Sequence, residues 1–522
     1  MSMIRGGLGF VLLIAGAALC GAGAFAAPAA EVGINWRVVN GFRLIKGADE
    51  EKRYREDMKR ITSNETHARE KYPDPISERR PYPTYWQEGE DAYEAGYLAP
   101  GGERLVKLDA RLPARMKPGA SCVWRLDGGA EIADATCQGV PDARLVEGQS
   151  HAVALTVTFG GQAYQAETTI RLKDLVIVVL GDSYGAGEGV PLANATTVSD
   201  GERSLNEDAL WQDRRCHRSL FSGFNQAVLA LSEGLRDRHV TLLDFSCSGA
   251  TMKTRPDDDR KGGLLARYEG KAPPRKGEML EPQVAAAGRA LCAPGQFEFD
   301  DRNYSGTCKQ SALPADADVL TLVSVGGNDI GFAKVIAKFA KRKYDFAECE
   351  RKFGKDFRYT AQGMERLPRD YADLDKAIRS SFAPKRISIV EYPDPTRDDK
   401  GDFTEAGPIC RAKWLNKLIG HHLVIEKEEH HCAYEKVLTS LNAIIARAAE
   451  THGWTYVGGM MTATRNKGIC AKGTNFTWIA AAEARTNSFS GAYHPNVFGY
   501  LRYQEALLPA LRRQVAGLAT RR

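Results

Sequence analysis

The stretch Leu175–Gly189, LVIVVLGDSYGAGEG, constrains this chain more than any other part of it. Six consecutive apolar residues, four of them β-branched, predict a strand buried on both faces, as in a parallel sheet, and the glycines behind them let the backbone turn sharply. Ser183 stands at the carboxyl end of that strand. Ligands of open α/β sheets bind at that edge, which makes Ser183 a candidate nucleophile. Strands followed by glycine loops also serve as plain turns or phosphate cradles, so this stretch alone does not decide.

The same pattern continues downstream. Apolar or β-branched runs recur at Val240–Phe245, Val319–Val325, Ile387–Tyr392 and Trp454–Val457. Helical patterns lie between them, such as Val437, Leu441, Ile444, Ile445 and Ala448. The fold class is therefore α/β, with a central parallel five-stranded sheet covered by crossover helices on both faces. Two inter-strand stretches, Met252–Asp318 and Ala333–Ala383, exceed simple connections and serve either to shape a substrate cleft or as surface decoration.

Upstream, residues 101–173 break into short alternating segments: Arg104–Leu108, Cys122–Leu126, His151–Phe159 and Gln165–Leu172. This predicts a small β-rich, sandwich-like module, loosely similar to immunoglobulin-like or PKD-like units, in which Cys122 and Cys137 are close enough to bridge. No aromatic platform marks it as a polysaccharide binder, so a spacer or lid is the expected role. Residues 27–100 read as an arm of unassigned role packed on the main domain. Within the arm, Asp49–Arg69 is helical in pattern, and KYPDPISERRPYPTYW excludes a regular helix or inner strand.

At the amino terminus, Arg5, an apolar run from Leu8 and Ala24-Phe25-Ala26 predict an export signal over residues 1–26. An uncleaved anchor is the alternative. No second run of spanning length follows, so no transmembrane domain is expected after signal removal, and the mature protein should be secreted or periplasmic. Eleven cysteines become ten once Cys20 leaves, an even number that favours disulfides in an exported chain. The net charge is +5 over 522 residues, without long single-sign blocks, which argues against a nucleic-acid partner.

A nucleophilic Ser183 needs a base, oxyanion donors and a group that orients the base. DFSCSGAT follows the second strand and offers the Gly249 N–H; SVGGNDIGF follows the third and offers the Asn328 amide; SFSGAYHPNVFGY holds His494 before a terminal helix. Each part is weak singly. Together and in this order they resemble the SGNH hydrolases of the GDSL esterase and lipase superfamily, from Leu175 to the carboxyl terminus.

The resemblance implies a three-layer α/β/α, flavodoxin-like SGNH domain over 174–522. It implies Ser183 as nucleophile, His494 as general base, and the Ser183 N–H, Gly249 N–H and Asn328 amide as oxyanion donors, each worth roughly 3 kcal/mol. The family's usual Asp three residues before the histidine is Gly491 here. The wording CSGAT, GGNDIGF and HPN is most similar to the actinobacterial secreted branch, part of which uses a backbone carbonyl as orienter. The Gly491 carbonyl is thus the expected orienter of a Ser-His dyad, with a degraded, inactive site as the competing reading.

The same branch implies Cys216–Cys247 clamping the second block near the first, and Cys292–Cys308 closing a short loop. Cys470 is expected to join Cys410 or Cys432, with Cys349 taking what remains, and three connectivities stay open. His421, His422, His430 and His431 lack the spacing of a known metal site and read as a solvated helix or loop, so no metal or other cofactor is implied.

The expected function is an exported serine esterase or lipase that hydrolyses an acyl lipid, short-chain ester or acetylated glycan through an acyl-enzyme on Ser183. An O-acyltransferase using the same site, or a catalytically silent envelope binding or scaffold protein, are the alternatives.

Overall fold

The computed structural model describes residues 32–519, apart from 40, 64–79, 95, 99–101, 194–195, 201–202, 208, 255–261, 276, 408–423 and 478–490. The expected signal at 1–26, Cys410, His421 and His422 lie outside the described residues. The chain divides into two units. One comprises residues up to Asn35 with Asp109–Gly139 and Ala152–Thr168; the other comprises Trp36–Leu108, Val140–His151 and Thr169–Arg522.

In the first unit, Ser121–Leu126 pairs antiparallel with both Glu131–Asp134 and Ser150–Phe159. The alternation along these strands puts Cys122 and Trp124 inside, where Trp124 is fully buried and its indole N–H lies 3.3 Å from Asp134 Oδ2. A Cys122–Cys137 disulfide closes the unit, and residues 131–134 form a strand where no hydrophobic run announced one.

The second unit is built on a six-stranded parallel sheet. Its strands are β1 (Phe42–Arg43), β2 (Lys173–Gly181), β3 (Arg238–Asp244), β4 (Asp318–Ser324), β5 (Arg386–Val390) and β6 (Thr455–Val457), in spatial order β6-β5-β4-β2-β3-β1. The expected count of five is corrected to six. The extra member is a two-residue edge strand from the amino-terminal segment, pairing Phe42 with Val240, too short to show a period in sequence. Leu175–Leu180 are all at 0% exposure, the burial that an uninterrupted apolar run demands.

Register sets the site. Leu175–Gly181 pairs with Asp318–Ser324, so β2 and β4 end side by side at Gly181 and Ser324. From β2 the chain moves to one side, to β3, and then crosses back to β4 on the other. This reversal opens a crevice at the carboxyl edge. Ser183, Gly249 and Asn328 follow β2, β3 and β4 respectively, all at that edge.

The helices used below are α1 (Ala48–Ser63), α2 (Ser183–Ala186), α3 (Gly223–Gly234), α4 (Gln283–Leu291), α5 (Phe332–Lys341), α6 (Phe346–Asp356), α7 (Arg358–Phe382), α8 (Lys427–Cys432), α9 (Thr439–His452) and α10 (Val497–Ala519). The π-helical turn Ala433–Leu438 joins α8 to α9. The amino-terminal segment shares the main core: Tyr54 of α1 and Tyr82 are buried with Phe221, and the Tyr54 hydroxyl donates to Leu220 O at 2.7 Å.

Three disulfides cross the second unit. Cys216–Cys247 ties the segment before α3 to the loop after β3, Cys292–Cys308 closes the end of α4, and Cys349–Cys432 joins α6 to α8. Cys432 is thereby removed as a partner for Cys470, which is itself disulfide-bonded.

Candidate active site

Ser183 opens α2, one turn of helix whose N-cap is Asp182. Asp182 Oδ1 accepts from the Tyr184 N–H at 3.0 Å, and the Tyr392 hydroxyl donates to Oδ2. With both oxygens engaged away from the imidazole, Asp182 is a brace for the turn. Burial pushes its carboxyl up to about 7 against those hydrogen bonds. Gln283 fixes the strand end just before, donating to and accepting from the Gly181 backbone at 2.8 Å each.

His494 Nε2 lies 2.7 Å from Ser183 Oγ, across 311 residues of chain. Asn496 explains how the HPN motif delivers this histidine. Its Oδ1 accepts from the N–H groups of Phe498 and Gly499 at 3.0 and 3.1 Å, capping α10 two residues beyond the ring.

The other imidazole nitrogen, Nδ1, lies 3.2 Å from the carbonyl oxygen of Ala492. The neighbouring Gly491 carbonyl accepts the His494 backbone N–H at 3.1 Å, and both carbonyls favour the protonated ring. A carbonyl can only accept. Nδ1 therefore carries the ring proton, which leaves the Nε2 lone pair facing Ser183.

Tyr493 sets this geometry. It has φ 65°, left-handed backbone for a bulky residue, a conformation of order 1–3 kcal/mol in cost that persists only when its surroundings enforce it. Three hydrogen bonds do so. The Tyr493 N–H donates to Thr477 O at 3.0 Å, its carbonyl accepts from the Tyr184 hydroxyl at 3.1 Å, and its own hydroxyl lies 3.1 Å from His430 Nε2.

His430 is fully buried, with Nδ1 donating to Thr404 O, and burial holds it down at about 4. His431 is stacked on Phe346 and Phe403 at 4.0 and 4.5 Å. The expectation of a solvated histidine stretch is corrected for this pair: one ring braces Tyr493 and the other packs between aromatics.

Gly249 has φ 86°, and a Cβ there would sit 2.5 Å from the Tyr268 hydroxyl, so any side chain at this position is strained. The Tyr268 hydroxyl in turn donates to Ser248 O at 2.6 Å. Asn328 Nδ2 donates to Ala250 O at 3.0 Å, which fixes the amide plane and leaves its second N–H for a ligand. Ser183, Gly249, Asn328 and His494 line one cavity of about 430 Å³.

Glu188 is the residue that pattern reading missed. It is fully buried five residues after Ser183, where Ser248 Oγ donates to its Oε2 and His217 Nδ1 lies 2.9 Å from the same oxygen. Burial alone would raise its carboxyl, but His217, Lys271 and His494 outweigh that and hold it at about 2. The Tyr500 hydroxyl donates to Glu188 O at 2.9 Å. At Gly189 a Cβ would meet His494 Cβ at 3.2 Å, so this loop is packed directly on the histidine. An acidic residue between two glycines in GAGEG was the available signal.

Desolvation holds the His494 ring down at about 4; Glu188 opposes that shift and Lys271 adds to it. The ring is thus neutral at pH 7 and has an anion near enough to feel a proton arrive. Among the described residues no cluster of three metal-ligating side chains occurs, and no helix is long and apolar enough to cross a membrane. Comparison of the chain with protein-family models and with curated proteins finds no match.

Proposed function

We propose that this protein is an exported serine hydrolase of the SGNH type, cleaving carboxylic esters through an acyl-enzyme on Ser183. The observation that carries the reading is the 2.7 Å contact between Ser183 Oγ and an Nε2 that the Ala492 carbonyl keeps unprotonated. The sheet order and its crevice at the carboxyl edge support a flavodoxin-like, three-layer SGNH domain, with the β-rich module as an accessory. The disulfides support an oxidising compartment, secreted or periplasmic.

In this mechanism His494 Nε2 takes the Ser183 proton as Oγ attacks the ester carbonyl. Negative charge builds on the former carbonyl oxygen, where the Ser183 and Gly249 N–H groups and the Asn328 amide meet it. The imidazolium, favoured by the ionised Glu188 and by two backbone carbonyls, gives its proton to the leaving alkoxide. Water, deprotonated by the same nitrogen, then releases the acid and restores Ser183.

Hydrolysis of p-nitrophenyl esters by the mature protein, lost in Ser183→Ala, is the test. Absence of turnover on every ester, together with failure of a fluorophosphonate to label Ser183, would refute the reading.

A further inference from the structure

Glu188 stands between the two loops that the reaction uses. Gly189, the next residue, packs on His494, and the Glu188 side chain reaches the loop that carries Gly249. There Ser248 is held at three points: its N–H donates to Cys216 O at 3.0 Å, its carbonyl accepts from the Tyr268 hydroxyl at 2.6 Å, and its hydroxyl donates to Glu188 Oε2. His217, next in sequence to Cys216, places its Nδ1 2.9 Å from the same Oε2. A carboxylate only accepts, so Nδ1 carries the proton and donates. The His217 ring is stacked on Trp211, with centroids 4.5 Å apart and planes 6° apart. Its backbone has φ 49°, a left-handed conformation that a residue with a side chain keeps only where its surroundings enforce it. Stacking and hydrogen bond together aim this ring at one oxygen.

Neither bond to Oε2 needs a charge at position 188, because a neutral amide oxygen would also accept from Ser248 and His217. The carboxylate is costly there, since it is fully buried and its Oε1 has no hydrogen-bond partner. Positive charge reaches it from three segments: His217 before α3, Lys271 before α4 and the His494 ring, once protonated, before α10. Of these, His217 opposes the effect of burial most strongly. Resting on the ester-hydrolase reading above, we infer that His217 is a positioning residue of the reaction: its ring holds the Glu188 carboxylate between the oxyanion loop and His494, where one anion both tethers Ser248 beside Gly249 and favours the imidazolium. His217 is not among the residues that line the Ser183 cavity, and it acts only through Glu188. With His217 removed, burial of Glu188 is opposed by less positive charge, so its neutral form gains as pH falls and His494 loses the anion.

The test is a double-mutant cycle on the full mature protein: wild type, His217→Phe, Glu188→Gln and the pair, with kcat and KM for p-nitrophenyl butyrate measured from pH 5 to 8. Phenylalanine keeps the stack on Trp211 and removes the donor. His217→Phe should lower kcat about tenfold at pH 5, the effect of one pK unit at the imidazolium, with KM within about twofold, and the deficit should shrink toward pH 8. In the Glu188→Gln background the same change should bring no further loss at any pH, because it acts through that carboxylate. Should His217→Phe not fold, His217→Gln, which keeps a neutral donor, runs the same cycle with the same expected coupling. Losses that multiply in the double variant, a deficit constant with pH, or an unchanged kcat in the single variant overturn the role of His217 and leave ester hydrolysis standing. No turnover by the wild type on any ester, with no fluorophosphonate labelling, removes the parent reading and this one with it.

Discussion

The desolvated His494 predicts an acid limb of the rate profile far below that of an ordinary histidine. The ring must be neutral to take the Ser183 proton, so kcat/KM falls as pH drops through its pKa in the free enzyme. With that pKa at about 4 the ring is about 90% neutral at pH 5, whereas a histidine at 6.5 would be about 3% neutral, roughly a thirtyfold difference in active enzyme. The assay is kcat/KM for p-nitrophenyl butyrate between pH 4 and 8, with released acid quantified by chromatography. Aliquots returned to pH 7 separate titration from unfolding. Activity at pH 5 within twofold of that at pH 7 is expected. An acid limb near 6.5 would refute the argument, because it requires a ring in water or a much closer carboxylate.

Charges around the ring should move that limb in opposite directions: Glu188→Gln to lower pH with reduced kcat, since the imidazolium loses a favourable anion, and Lys271→Gln to higher pH. Equal shifts of the same sign in both variants would contradict the electrostatic roles. Gly249→Ala forces a side chain into φ 86° against the Tyr268 hydroxyl, and should lower kcat about a hundredfold with KM within a few fold. An unchanged kcat removes Gly249 from the oxyanion site. For stability, His430 and His239 are buried neutral at about 4 and about 3, below the 6.5 of the unfolded chain. Their contribution is complete above pH 6.5 and is lost as pH falls toward 4, where the unfolded state binds protons the native state does not. For His430 that is of order 3 kcal/mol, read as a falling urea midpoint between pH 7 and 4.5.

The sheet was legible because a strand buried on both faces must be apolar throughout, as Leu175–Leu180 is. The edge strand Phe42–Arg43 was not, since two residues carry no period. Ser183, Gly249, Asn328 and His494 could be named because each sits in a short motif directly after a strand or before a helix. Glu188 was marked only by its place between two glycines; its surroundings come from His217 and Ser248, which only the fold brings to it. The orienting carbonyl hinged on one dihedral: with Tyr493 at φ 65°, the Ala492 oxygen comes to 3.2 Å from Nδ1, beside that of Gly491. No residue type announces a left-handed tyrosine. The partner of Cys349 was a matter of topology, 83 residues distant at Cys432. The apolar walls of the cavity lie on α5 and the π-helical turn, whose hydrophobic residues read in sequence as ordinary core.

The proposed dyad makes Ser183 a nucleophile through an Nε2 whose tautomer a backbone carbonyl sets. It is tested most directly by the rate at which a fluorophosphonate labels Ser183 in the wild type, in His494→Ala and in Asp182→Asn. Labelling should be rapid in the wild type, fall by about three orders of magnitude or more in His494→Ala, and drop far less in Asp182→Asn, whose carboxyl braces the turn and does not touch the imidazole. Labelling that survives loss of His494, or that disappears as completely with Asp182→Asn, would contradict the dyad.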